Sequence, residues 1–235
     1  GGRQQSFANS SYRMVAGVRG AINEGWGYDV SAQYSNTTPN ASTLNYFVID
    51  RMTRALDVVD VAGTPTCRSA IDGSDPNCVP WNPFVPGGVD AAQLNYLQAK
   101  GIQVGRLNQE IYNGIITGDL GTYGFKTPWA TDGAQVVFGA EYRRDTLDNK
   151  VDALQEAAQL SGTGGATIGI SGATLVKELF FEGRVPLAQD QSMAESLSLD
   201  TAYRYSDYDG FSTDTYKAGL EWAPTSAIRF RGSYQ

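Results

Sequence analysis

Few side chains in this sequence could do chemistry: it holds two cysteines and no histidine. Losing histidine removes the commonest general base, the Ser-His-Asp arrangement and most catalytic zinc sites together. The expectation is a protein that is not an enzyme and that carries no cofactor. Cys67 and Cys78 bracket the run RSAIDGSDPN. One cysteine pair without histidine leaves a four-ligand zinc site incomplete, and a redox pair would show CxxC spacing near a βαβ pattern. A disulfide closing this loop suits an oxidising compartment and would contribute roughly 2–3 kcal/mol to loop order, with two free thiols as the alternative. Asp72 and Asp75 offer hard oxygens, yet the run lacks the DxDxDG arrangement and trailing Glu of a calcium loop and reads as a turn. The glycine-rich SGTGGATIGISG (161–172) has no P-loop lysine and reads as a flexible loop.

The composition narrows what could position these residues. A net charge of −7 argues against nucleic acid as a partner, since phosphates call for clustered Lys and Arg. A hydrophobic fraction of 41% is sufficient for a core in one large β domain or two ordinary ones. No stretch reaches the roughly 18 consecutive apolar residues of a transmembrane helix, and residues 1–20 lack the plan of a signal peptide. Membrane β-barrels alternate apolar and polar residues and escape that test, and abundant glycine and tyrosine suit them.

Period two runs along most of the chain. Leu197, Leu199, Thr201, Tyr203 and Tyr205 alternate with Ser198, Asp200, Ala202, Arg204 and Ser206. Tyr216, Ala218, Leu220 and Trp222 alternate with Lys217, Gly219 and Glu221, and Ile228, Phe230, Gly232 and Tyr234 with Arg229, Arg231 and Ser233. The same division holds near the start, where Tyr12, Met14, Ala16 and Val18 oppose Arg13, Gly17 and Arg19, and Trp26, Tyr28, Val30, Ala32 and Tyr34 oppose Asp29, Ser31 and Gln33. Eight strands are expected, near 11–22, 26–37, 105–120, 133–147, 174–187, 195–208, 213–223 and 227–235. Long connections cover 38–104 and 148–173, a medium one lies near 121–132, and short ones lie near 23–25, 188–194, 209–212 and 224–226. Within the long connections, VDAAQLNYLQAK (89–100) and VDALQEAAQL (151–160) read as short helices, each with an Asp near its start. Short turns at one end and long loops at the other are the plan of an outer-membrane barrel. Aromatics toward strand ends, and small residues such as Ala16, Ala32, Ala140 and Ala218 at mid-strand, favour a membrane barrel over a secreted β-sandwich or solenoid.

The runs VVFGAEYRRDTL (136–147), KELFFEGRVPL (177–187) and AYRYSDYDGFSTDTYKAGLEWAPTSAIRFRGSYQ (202–235) resemble the C-terminal half of a TonB-dependent receptor barrel. The stretch YRMVAGVRGAINEGWGYDVSAQY is similar to a hairpin of the same family, and the loop with Cys67, Cys78 and VPWNPF to a cysteine-bearing extracellular loop of such receptors. The resemblance implies an all-β fold, an antiparallel transmembrane β-barrel segment supplying about eight strands of a larger barrel of about 22. It also implies a bacterial outer-membrane location and uptake of a scarce bulky nutrient, such as an iron-siderophore, cobalamin or an oligosaccharide, with energy supplied through TonB. The partners implied are outer-membrane lipid, a plug domain, TonB through that plug, and a small-molecule or oligosaccharide ligand. Neither plug nor TonB box is recognisable in this stretch, so the chain reads as an internal piece of a larger receptor. A passive pore or adhesin-like barrel would share every strand feature.

On this reading the polar strand faces line the lumen. They carry Arg13, Arg19, Asp29, Glu141, Arg143, Glu178, Glu182, Arg184, Asp200, Arg204, Lys217, Glu221, Arg229 and Arg231, whose plain role is to solvate the interior and pair across strands. Ligand contact falls to the loop aromatics Tyr46, Phe47, Trp81, Phe84 and Tyr96, which could equally pack within the loop. The N-x-S/T matches at Asn9, Asn36 and Asn40 read as chance.

Overall fold

The computed structural model describes residues 2–235. In chain order the elements are β1 (Gln4–Asn23), β2 (Trp26–Phe47), α1 (Ile49–Leu56), β3 (Val58–Val61), β4 (Thr64–Cys67), α2 (Arg68–Ile71), α3 (Ala91–Leu97), β5 (Gln98–Asp119), a 3-10 turn (Leu120–Tyr123), β6 (Gln135–Val151), α4 (Ala153–Glu156), β7 (Ile170–Gln191), β8 (Ala194–Tyr208), β9 (Phe211–Thr225) and β10 (Ile228–Tyr234). Eight strands form one open sheet in the order β1-β2-β5-β6-β7-β8-β9-β10, and β3 and β4 form a separate hairpin. The all-β, up-and-down expectation of eight strands is met. The described residues gather into two compact units, one of residues 2–11, 37–107 and 147–172, the other of 12–36, 108–146 and 173–235.

The strands run further than the apolar alternation predicts. β2 continues to Phe47 and β5 begins at Gln98, which shortens the connection expected over 38–104, and 148–173 contracts in the same way. Polar ladders carry the extension. Asn36 Nδ2 donates to Asn108 Oδ1 (2.6 Å), whose Nδ2 donates to Thr146 Oγ1 (3.2 Å), and Gln33, Gln109 and Asp145 form a parallel chain. Beyond them Gln103 donates to Asn149 (3.1 Å). Cross-strand side-chain pairs stabilise a sheet whether apolar or hydrogen-bonded, so strand ends need no apolar signal.

In the second unit the two faces keep the register that alternation implies. Leu199 lies opposite Leu220, and Leu220 opposite Gly232; Tyr203 lies opposite Tyr216, and Trp222 opposite Phe230. The other face pairs Glu178 with Ser206, Arg184 with Asp200, and Glu221 with both Ser198 and Arg231. The polar face is covered at Glu178, Ser198 and Ser206, where Glu178 is 7% exposed against 61% for its neighbour Leu179, while Arg184 and Arg204 on the same face stay half-exposed. A register shift follows Pro186 in β7, a position where a residue lacking an N–H is tolerated. The connection read as plain loop near 121–132 instead bridges this strand, with Trp129 paired to Ala188 and Thr127 Oγ1 donating to the Pro186 carbonyl (2.9 Å).

The first unit packs the ordinary way. Tyr46, Val48 and Leu160 form a buried cluster against Ala99 and Leu154. Backbone bonds from Val48 N to Leu97 O and from Ser161 N to Phe47 O, both 2.8 Å, tie its segments together. The helix expected over 89–100 is α3, opened by a capping box between Asp90 and Gln93. The one expected over 151–160 is only the single turn α4, capped by Asp152 and ended where Ala158 turns left-handed (φ 54°). α1 and the β3–β4 hairpin were not expected. Val48 caps α1 without a side-chain bond, and the hairpin turn is Ala62-Gly63, both with positive φ, rather than the usual Asn-Gly.

Candidate functional site

Two regions gather polar and aromatic side chains, and the clearer one lies in the first unit. Cys67 closes β4 and is bonded to Cys78, so the disulfide stands and the free-thiol alternative falls. The residues it encloses hold one another. Asp72 accepts from Ser74 N (2.8 Å), and Asp75 accepts from Asn77 N (3.2 Å), from Tyr96 Oη (2.8 Å) and from Arg54 (3.2 Å). The carboxylates are thus occupied with turn bonds and a side-chain latch. The Tyr96 hydroxyl and the Arg54 guanidinium hold the Asp75 carboxyl below its usual range against an opposing push from burial. Burial, together with the bond to Asp75, pushes Tyr96 up to about 12. Arg51, one turn from Arg54 on α1, donates to the carbonyls of Tyr96 (2.9 Å) and Gln98 (3.2 Å). Asp152 shows the same balance: burial opposes its ionisation, but bonds from Ile102 N, Gln155 and Leu154 N outweigh it and lower its pKa.

The five loop aromatics do not form one platform. Tyr46 is buried at the end of β2, with the Arg3 guanidinium 5.1 Å from its ring. Tyr46 and Phe47 are strand residues, which corrects their placement in a loop. Phe47 meets Trp81 edge to face, with ring centroids 5.7 Å apart. Tyr96 sits on α3 in the latch with Asp75. Trp81 and Phe84 are brought together around a hollow of about 540 Å³, where Phe84 is 91% exposed. The backbone N–H of Trp81 is fixed to Ala55 O (2.9 Å), while its indole N–H is buried without a hydrogen-bond partner among the described residues.

The second region is the polar face of the second unit. Glu178 accepts from Ser206 Oγ (2.6 Å) and from Arg204 (3.1 Å), whose guanidinium also lies 4.9 Å from the Phe180 ring centroid. Glu221 is shared by Arg231 (2.8 Å), Arg229 (3.4 Å) and Arg184 (3.9 Å), and Arg184 also reaches Asp200 (3.9 Å). Arg143 lies between Glu141 (3.8 Å) and Asp145 (3.5 Å). Glu182 and Lys217 line a hollow of about 570 Å³ on this face with Arg184, Asp200, Glu221 and Arg231. Charges of alternating sign across neighbouring strands fit a structural role, as their plain reading expects.

No family model and no curated protein matches the chain. What the sequence pattern missed here is chiefly Phe180 and Gly139. A Cβ at Gly139 would sit 2.0 Å from Phe180 Cζ, so the aromatic ring lies directly on the glycine backbone. Phe180 breaks the alternation by standing on the polar face, and that break was its signal. Arg51 and Arg54 were missed because α1 was.

Proposed function

We propose that this chain forms part of the transmembrane wall of an outer-membrane transport receptor of the TonB-dependent kind. It binds a scarce bulky nutrient at its loops and imports it with energy delivered through a plug and TonB. The observation that carries this reading is the pattern of the second unit, where large apolar side chains are exposed on one face while Glu178, Ser198 and Ser206 are covered on the other and its acidic groups are paired by half-exposed arginines. Leu220 is 48% exposed, while the neighbouring Glu221 carboxylate lies beneath three arginines. An exposed apolar face of this extent is costly in water and favourable in lipid, where an antiparallel wall satisfies its own backbone. Strands of 22 residues such as β2 and β7 span roughly 70 Å, well beyond the 9–11 residues needed to cross a bilayer, and their surplus supports loops outside it.

Two measurements test this. Flotation with liposomes after urea extraction should keep the protein in the lipid layer, and a soluble, monodisperse chain in detergent-free buffer would refute the membrane wall. In cells, uptake by the receptor containing this chain should stop when the proton motive force is dissipated. Uptake that persists would identify a passive pore instead.

A further inference from the structure

The connection between β5 and β6 lies along the end of β7. Gln189 N donates to Trp129 O (2.8 Å), and Thr127 Oγ1 donates to the carbonyls of Pro186 and Leu187 (2.9 Å each). Gln189 Oε1 accepts from Thr131 N, Thr131 Oγ1 and Asp132 N (2.9 Å each), and Gln189 Nε2 donates in return to Asp132 Oδ2 (2.8 Å). β6 begins only at Gln135, so this segment gives partners to an edge of β7 that would otherwise be open, as a wall in lipid requires. Register puts its tryptophan on the apolar side. Trp129 is paired with Ala188, Ala188 with Leu197, Leu197 with Trp222 and Trp222 with Phe230, so the five share one face. Trp129 is 64% exposed. Trp222 donates its indole N–H to Met193 O (2.8 Å), whereas the indole N–H of Trp129 has no partner among the described residues.

We infer that Trp129 meets the bilayer at the boundary between phospholipid headgroups and acyl chains, so that a segment outside the eight strands belongs to the lipid-contacting surface. A place in water would leave a large ring on the apolar face uncovered, and a place among the acyl chains would leave its N–H without an acceptor. The boundary supplies apolar contact for the ring and ester or phosphate oxygens for the N–H. The polar groups of Thr131, Asp132 and Gln189 close by fit the same depth. Strands in such a wall tilt by about 35–45°, so the row from Trp129 to Phe230 crosses the bilayer at a slant and its members differ in depth. The inference rests on the membrane-wall reading and adds to it a named point of contact with lipid.

The test uses the full chain, labelled with 5-fluorotryptophan and reconstituted into dioleoylphosphatidylcholine liposomes. Trp129→Phe identifies the Trp129 line among those of Trp26, Trp81 and Trp222, and flotation of that variant shows that it still inserts. Phosphatidylcholine carrying a nitroxide on its acyl chain just below the headgroup should broaden the Trp129 line severalfold more than phosphatidylcholine labelled at the chain terminus, and severalfold more than an aqueous gadolinium chelate. Equal or greater broadening by the chelate would place the ring in water, and equal or greater broadening by the chain-terminal nitroxide would place it in the hydrocarbon. Either result, in a protein that floats, would overturn this inference and leave the membrane wall standing. A protein that does not float would overturn the membrane wall, and this contact with it.

Discussion

The two compact units of this chain differ in what they cover. In the first, Tyr46, Val48, Leu97 and Leu160 are covered, and charged groups such as Arg68 and Asp57 pair in the open. In the second, Glu178, Ser198 and Ser206 are covered together with Val176 and Ala223, and Leu179, Phe138, Leu220 and Phe230 are exposed. The second is made of clearly alternating sequence, while the first takes in residues 37–107 and 147–172, where the apolar alternation fades. Alternation specifies that a strand has two unlike faces, while what each face meets is decided by the sheet's curl and by its surroundings. The first unit also needs covalent help, because its segments are short and irregular, whereas the strands of the second support each other through continuous ladders.

The strongest way to break this contrast is to put charge on the exposed face. Leu220→Arg and Trp222→Arg should each cost about 2–4 kcal/mol of membrane stability if their positions lie near the bilayer midplane, read as loss of urea-resistant, lipid-floating protein. In water-exposed strands the same changes would be nearly neutral, and that result would place both units in one solvent. Next in size, Cys67→Ser with Cys78→Ser should lower the order of the first unit by roughly 2–3 kcal/mol. Limited proteolysis should then cut between residues 57 and 90 while the strands stay protected; simultaneous loss of the strands would show that the staple holds more than its own loop.

Gly139→Ala drives a methyl into the Phe180 ring, so it should cost about 1–3 kcal/mol, and Gly139→Ala with Phe180→Ala should recover part of it. A double variant no better than the single one would mean that the ring moves away freely. The smallest effect belongs to the latch. Tyr96→Phe should cost about 1 kcal/mol at neutral pH by removing the bond to Asp75. The pH dependence has two edges. A lowered Asp75 contributes stability present above its unfolded pKa and lost as pH falls through its folded value. A raised Tyr96 contributes stability present below pH 10 and lost as pH rises toward about 12. Tyr96→Phe should therefore move the acid edge upward and erase the alkaline edge, as amide exchange near Asp75 and Asn77 would report.

The sequence by itself determined the eight-strand plan and the division of the strands into faces, because period two is a local signal; it favoured the disulfide over two free thiols, and the structure decided that pairing. It also located α3, whose Asp90-to-Gln93 box is written in adjacent residues. Only the tertiary structure decided how far the strands run, since the ladder through Asn36, Asn108 and Thr146 joins residues far apart in the chain. The same holds for the loop aromatics. Nothing in their spacing separates Tyr46, which is buried beneath Arg3, from Phe84, which stands open beside Trp81. Burial is a property of what folds back over a side chain, and for Phe84 no segment among the described residues does so.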